Sequence, residues 1–464
     1  MFDFSSCLTN IACVTSDGHE YSYSDIKRLS DEFSNYIIPH TMMFIGCSNS
    51  LESLIAYISC MRYHIVPLLL NRDIDTGTLD NLVSVYRPQY LFFPQDRCAI
   101  FEDKEILLTK NGFSLLKGYE GIDILPKNLS LLLTTSGSTG SPKLVRLSEE
   151  NLESNAYSII KYLNITSSER AITSLPMYYS YGLSVINSHL LAGATLLLTD
   201  KSYIQRDFWN FATIENATSF AGVPFTYEIL KKMRFEKFFP ASIKVMTQAG
   251  GKLSSSLVSY FADYAQKNQK DFFVMYGQTE ATARMSYLPP ECALIKSGSI
   301  GIAIPGGSFS LVDDSGNNIM CPEQVGELVY HGSNVSLGYA ESFEDLFKED
   351  ENKGVLYTGD LAYFDSDGFY YIAGRKKRFL KLYGNRVSLD FVETLLKDCC
   401  SECACVGTDD KLIVYITEQD KQETVQSYLK SRISLNPSAY EVRIIQEIPR
   451  SESGKIVYAK LSNV

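Results

Sequence analysis

Four short apolar runs near the middle of this 464-residue chain each end at residues that turn a backbone sharply or present a functional group. Residues 171–175 stop at Pro176-Met177-Tyr178-Tyr179-Ser180-Tyr181-Gly182, 219–221 at Gly222-Val223-Pro224, 243–247 at Gln248-Ala249-Gly250-Gly251, and 272–275 at Tyr276-Gly277-Gln278-Thr279-Glu280. Any one of these reads as an ordinary tight turn between a strand and a helix, which uses Gly and Pro anyway. Four in succession read differently. In an open α/β sheet ligands sit beyond the carboxyl ends of the strands, so glycines, tyrosines and a carboxylate gathered there imply one shared crevice.

The flanking sequence supplies the rest of such a sheet. Ile26, Leu29, Phe33 and Ile37 have helical spacing behind a Ser24-Asp25 start, which predicts an amphipathic helix over 21–38. Strands at 42–46, 65–70 and 90–93 alternate with helices at 50–63 and 79–86, the pattern of a parallel sheet with helices on its faces. A helix is expected over 148–162. From 298 to 339 the texture changes to short β segments at 308–312 and 325–330, expected as a small β subdomain. Strands at 369–373, 412–416 and 442–445 with helices at 389–396 and 424–433 then form a small closing α/β domain. The basic stretch Gly374-Arg375-Lys376-Lys377-Arg378 reads as its hinge, giving expected domains of 1–375 and 376–464.

Between the first and second groups of strands, Leu131-Leu132-Leu133-Thr134 runs into Thr135-Ser136-Gly137-Ser138-Thr139-Gly140-Ser141-Pro142-Lys143. Glycines let backbone N–H groups approach an anion, the hydroxyls add donors and the lysine adds a charge suited to a polyphosphate. The spacing is not that of a Walker loop, because Ser141-Pro142 precede the lysine and Leu144 follows it. Taken alone the stretch reads equally as a flexible Gly/Ser turn.

A net charge of −11 without any long Lys/Arg-rich segment argues against nucleic-acid binding. The first 14 residues lack a basic leader, and the apolar stretch 53–70 is interrupted by Arg62 and His64, so neither a secretory signal nor a membrane span is expected and a cytoplasmic location is. Eleven scattered cysteines fit reduced thiols. Cys399, Cys400, Cys403 and Cys405 are crowded enough to suggest a metal, but no histidine set or second cysteine pair accompanies them, and they read as buried or half-buried thiols.

Five motifs stand in register along the chain: TTSGSTGSPK, YGQTEAT, GELVYHGSNVSLGY with YTGDLAYFD, GRKKRFLKLYGNRVS and PRSESGKI. Their order and separations resemble those of the adenylate-forming enzymes, a superfamily that includes acyl- and aryl-CoA synthetases, adenylation domains of peptide synthetases and firefly-type luciferases. The resemblance covers nearly the whole chain. It implies an α/β multi-domain fold: a large N-terminal domain of two α/β sheets plus a β-barrel-like subdomain, and a small mobile C-terminal domain. It also implies an enzyme that joins a small carboxylic acid to AMP from ATP, releasing pyrophosphate, and then passes the acyl group to CoA, to the phosphopantetheine thiol of a separate acyl carrier protein, or to an amine.

The resemblance assigns roles residue by residue. Thr135, Ser136, Gly137, Ser138, Thr139, Gly140 and Lys143 would hold the β- and γ-phosphates. Thr279 would contact the α-phosphate and Glu280 would bind Mg²⁺, a hard cation suited to oxygen ligands. Gly250, Gly251, Tyr276 and Gly277 would line the nucleotide slot, Asp360 would accept both ribose hydroxyls and Arg375 would add a cationic contact. Lys455 would bridge the substrate carboxylate and the α-phosphate in the transition state. Lys377 matches the hinge position, and Lys381 with Gly384 lies on the segment implied to face the site in the second step, although the basic neighbours Lys376 and Arg378 depart from the commoner acidic pattern. Tyr179, Tyr181 and Ala249 would line the acyl pocket, two tyrosines suggesting a small or polar one. The stretch 177–182 lacks the Phe-Asp pattern that pairs an α-amino group, which favours an acyl or aryl acid over a stand-alone amino-acid adenylation enzyme. A non-catalytic nucleotide-binding relative is disfavoured by the presence of Lys455, Glu280 and Asp360 together. Val387-Ser388-Leu389-Asp390 superficially resembles a phosphopantetheine attachment run, but it lies inside the junction motif.

Overall fold

The computed structural model describes all residues except 102, 122–123, 135–142, 383–384, 398, 409–410, 434–438, 451–455 and 462–464. The chain folds as two compact units, Met1–Ser308 with His331–Leu356, and Phe309–Tyr330 with Tyr357–Val464. Among the described residues no helix is long and apolar enough to cross a membrane.

The first unit contains two sheets. In the nine-stranded one, Ile11–Thr15, Thr195–Leu198, Arg170–Ile172, Ser219–Gly222, Val245–Gln248 and Asp271–Tyr276 run parallel in that spatial order. Antiparallel strands finish it at both edges: Glu20–Ser22 at one, Ser286–Leu288 and Ile302–Ala303 at the other. In the eight-stranded sheet, Leu131–Thr134, Val66–Asn71, Met42–Cys47 and Tyr90–Pro94 are parallel neighbours. Met42–Cys47 is buried at every position, as an unbroken apolar strand must be when helices cover both faces of its sheet.

Helix starts follow local chemistry. Ser148 caps Glu149–Leu163 by accepting from the Asn151 N–H, while the Asn151 side chain reaches back to the Ser148 N–H. The first helix was expected behind Ser24-Asp25 but begins at Tyr23, because Ser22 is the cap and Asp25 is its reciprocal partner. The stretch 176–182 leads into a helix, Ser180–Leu191, that is buried at nearly every position.

In the second unit, Ser308–Val312, Gly326–His331, Val355–Phe364 and Tyr370–Arg375 form a four-stranded sheet. Its first and last strands are not partners among the described residues, so the expected barrel-like subdomain is an open sheet. The basic stretch expected as a loop is the end of Tyr370–Arg375 followed by one 3₁₀ turn, Lys376–Arg378. Beyond it Cys403–Thr408, Lys411–Ile416 and Tyr440–Ile444 form a three-stranded sheet packed on the helices Leu389–Leu396 and Gln422–Ile433 through Val392, Leu396, Val425 and Leu429. The four clustered cysteines are part of this packing. Cys400 Sγ donates to Leu396 O at 3.2 Å and Cys403 Sγ to Glu393 O, both in the last two turns of one helix.

Candidate active site

The carboxyl ends of the parallel strands, where the crevice is expected, lie in the first unit. Tyr276 ends its strand, and Thr279–Ala281 forms a 3₁₀ turn just after it. The chain then folds back through Thr282 at φ 61° and Ala283 at φ 128°, conformations that L-residues adopt at a cost of about 1–3 kcal/mol each. Asn334 holds this strained segment: its Nδ2 donates to Ala281 O and Arg284 O at 2.8 and 3.1 Å, and its carbonyl accepts from Thr282 Oγ1 at 2.6 Å. The fold-back explains Gly277, since a Cβ there would lie 1.7 Å from Ala283 O.

Side chains from separate strand ends meet over this turn. Thr279 Oγ1 is 3.1 Å from Ser180 Oγ, joining the turn to the first residue of the Ser180–Leu191 helix. Glu280 Oε1 accepts from the Tyr339 hydroxyl at 2.7 Å. Among the described residues its other oxygen has no hydrogen-bond partner, which leaves one hard oxygen for a hard cation. Lys143 Nζ lies 3.8 Å from the centre of the Tyr339 ring and 3.5 Å from Glu341 Oε1. The phosphate-loop residues Thr135, Ser136, Gly137, Ser138, Thr139 and Gly140 lie outside the described residues.

Ala249, Gly250 and Gly251 follow the neighbouring strand, and Tyr179 faces them. A Cβ on Gly250, which has φ +85°, would come within 2.4 Å of the Tyr179 hydroxyl. Only glycine lets the Tyr179 hydroxyl approach the backbone this closely. Burial pushes the Tyr179 phenol up to about 12. Tyr181 is buried edge-on to Tyr179, with ring centres 6.3 Å apart, and shares a 2.8 Å hydrogen bond with Thr247 Oγ1.

Behind Tyr181 lies Arg284, only 2% exposed. Its Nε donates to Ser184 Oγ at 3.1 Å, its Nη1 to the Tyr162 hydroxyl at 3.0 Å, and its guanidinium carbon is 5.0 Å from the Tyr181 ring centre. Arg284 also lines a cavity of about 20 Å³, room for roughly one water, with His189, Ser219 and Thr247 among mostly apolar walls. Burial, reinforced by the Arg284 charge and opposed by the bond to Val185 O, lowers the His189 imidazole to about 4.

In the second unit, Asp360 and Arg375 are direct partners across antiparallel strands. Arg375 Nε is 3.6 Å from Asp360 Oδ1, a loose pair in which the aspartate is buried and the arginine exposed. Thr358 Oγ1 accepts from the Asp360 N–H at 3.1 Å. Lys377 sits in the Lys376–Arg378 turn. Gly384 and Lys455 lie outside the described residues.

Tyr339, Ser180, Asn334 and Arg284 were not singled out in the sequence. Tyr339 stood in the SLGY end of a recognised motif, which was a usable signal; the partners of Asn334 and Arg284 depend on contacts far apart in sequence.

The family described as AMP-binding enzyme matches residues 7–340. Indoleacetate–CoA ligase of Aromatoleum aromaticum is 27% identical over 368 residues, which is 76% of this chain and 70% of that protein. O-succinylbenzoate coenzyme A synthetase (MenE) from Bacillus subtilis, solved with ATP and magnesium ion, superposes with a TM-score of 0.82 at 21% identity, covering 99% of this chain and 98% of that one. ATP-bound MatB from Rhodopseudomonas palustris superposes at 0.83 and 21% identity, covering 100% and 97%. The likeness to both solved proteins is one of fold, and the family match supplies the identity: this chain belongs to the AMP-binding enzyme family, the adenylate-forming enzymes that its motifs resemble.

Proposed function

We propose that the chain is an AMP-forming acid–thiol ligase, which activates a small carboxylic acid with ATP and transfers the acyl group to CoA or to the thiol of a separate carrier protein. The observation that carries this reading is the junction of Thr279, Glu280, Ser180 and Tyr339, where segments that follow two parallel strands of one sheet meet a strand of the other, and where a nucleotide's phosphates would meet a carboxylate.

A carboxylate oxygen attacks the α-phosphorus and pyrophosphate leaves, so two anions must be brought together and the charge developing on the leaving group held. In this reading Thr279 donates to the α-phosphate, and Lys143 leaves its aromatic neighbour to meet the β- and γ-phosphates with the loop 135–140. Mg²⁺ would be held by Glu280 and would neutralise phosphate charge. Asp360 would hold the ribose hydroxyls with Arg375 beside it, and Gly250, Gly251 and Tyr276 would border the adenine. Lys455 would supply the cation between carboxylate and α-phosphate, a preorganised charge that acts mainly on the transition state. The segment 376–464 would then turn about Lys377 to admit the thiol.

Tyr179 and Tyr181 set the size of the acyl pocket. Tyr181 is fixed by Thr247 and backed by Arg284, which favours a short acid. The test is a panel of carboxylic acids incubated with ATP and hydroxylamine. AMP, pyrophosphate and a hydroxamate are expected with short acids; ADP and phosphate would reject the reading.

A further inference from the structure

Tyr339 touches both charged groups of the site that the first unit contributes. It lies in the strand Gly338–Ala340, paired antiparallel with Leu144–Leu147, so that Tyr339 stands opposite Val145, two residues from Lys143. Its hydroxyl donates to Glu280 Oε1 at 2.7 Å while Lys143 Nζ rests 3.8 Å from the centre of its ring. A phenol ring attracts an ammonium through its negative face, so one side chain holds an anion by its edge and a cation by its face.

The strand beneath is itself fixed. Arg146, fully buried, donates from Nε to Tyr339 O at 3.1 Å and from Nη2 to Leu337 O at 3.0 Å and Glu351 Oε2 at 2.8 Å. The strand's position is therefore set by a buried cation that donates to the carbonyls of Leu337 and Tyr339 and to the Glu351 carboxylate.

We infer that Tyr339 is a positioning residue that aims the Glu280 carboxylate at the metal and holds Lys143 ready for the phosphates. The inference rests on the proposed roles of Glu280 and Lys143. A carboxylate pinned at one oxygen presents the other in a fixed direction, and loss of such an outer partner typically weakens metal affinity about 10- to 100-fold. The ring and the hydroxyl act on different ligands, which makes them separable.

The experiment compares Tyr339→Phe, Tyr339→Leu and Glu280→Gln in the full chain, with thermal unfolding as a check on each fold. ATP binding is titrated calorimetrically without metal and again across Mg²⁺ concentrations, and Mn²⁺ binding in the presence of a non-hydrolysable ATP analogue is read by electron paramagnetic resonance. Tyr339→Phe keeps the ring, so it should leave metal-free ATP binding unchanged while raising the divalent-metal requirement about tenfold or more. Tyr339→Leu should lose metal-free ATP binding as well. Equal losses in both titrations for Tyr339→Phe, or none in either, would overturn the inference. If Glu280→Gln also leaves the metal requirement unchanged, the failure lies in the reading of Glu280 itself.

Discussion

The Arg378 guanidinium lies 3.7 Å from the ring centre of Tyr458, three residues beyond Lys455 in sequence. Both side chains also reach Glu393: Arg378 Nη2 donates at 2.7 Å and the Tyr458 hydroxyl at 3.0 Å. Arg378 Nη2 further donates to Cys405 O at 2.8 Å, and Cys405 N–H donates to Glu393 Oε1 at 2.7 Å. The residue next to the proposed hinge is thus tied to a helix, a strand and the C-terminal turn of the same unit.

The Arg378–Glu393 pair is mostly buried, with side chains 14% and 13% exposed. Glu393 also accepts from the Tyr458 hydroxyl and the Cys405 N–H, and Arg378 keeps Asp390 as a second partner, so Glu393→Ala, which removes the shared acceptor, should destabilise the second unit by about 3 kcal/mol, whereas Glu393→Gln, which keeps an acceptor oxygen, should cost less. Urea unfolding of the three proteins decides it. A Glu393→Ala protein as stable as the parent would show that the shared acceptor carries no such weight.

If Lys455 serves the first step, Lys455→Ala should slow adenylate formation about a hundred- to a thousandfold, by analogy with losing one preorganised donor. Transfer from a presynthesised acyl-adenylate should survive. Lys377→Pro, which fixes φ at the proposed hinge, should do the reverse. Measuring both half-reactions in both mutants tests the pair of roles, and equal damage to both steps by Lys455→Ala would refute them.

Asp360→Ala should raise the ATP requirement. Each charge-assisted hydrogen bond to a ribose hydroxyl is worth about 1.5–3 kcal/mol before water takes its place, so at least a tenfold rise in KM for ATP is expected. The KM for the acid should change less. An unchanged ATP dependence would remove Asp360 from the nucleotide site.

His189 gives stability an acid limb. Its folded pKa of about 4 lies below the ordinary value of 6.5, because the buried ring resists charging. Between those values the unfolded chain takes up a proton that the folded one refuses, so stability falls as pH drops from about 6.5 towards 4 and is unaffected by this group above 6.5. At pH 5 the loss is on the order of 2 kcal/mol relative to pH 7. Denaturant midpoints at the two pH values, compared with His189→Asn, measure it; an equal drop in the mutant would assign the limb to other groups.

The parallel strands and their glycine-rich ends were legible because period and turn chemistry are local. The helix Glu149–Leu163 was legible for the same reason, with Ser148 read as its first residue rather than as its cap. Ser22 was passed over as a cap because Ser24 and Asp25, equally suitable by type, stood two and three residues later. Arg146 and Arg284 look like ordinary solvated charges in sequence; their burial is decided by carbonyls and hydroxyls that arrive from distant segments. Tyr339 was in view within a motif, but its two partners, Glu280 and Lys143, lie 59 and nearly two hundred residues away along the chain.

The division of the chain also bears on how it is made. Phe309–Tyr330 belongs with Tyr357–Val464, so the chain passes between the two units at 308/309, 330/331 and 356/357. The strand Gly326–His331 sits between Ser308–Val312 and Val355–Phe364 in its sheet. As the chain leaves the ribosome, that strand has one neighbour early and must wait for the other until about two dozen further residues have been synthesised. Those residues, His331–Leu356, belong to the first unit, including Tyr339. The first unit is therefore completed before the second unit's sheet is, and until Val355–Phe364 has emerged the strand Gly326–His331 keeps one edge open to pairing with another chain.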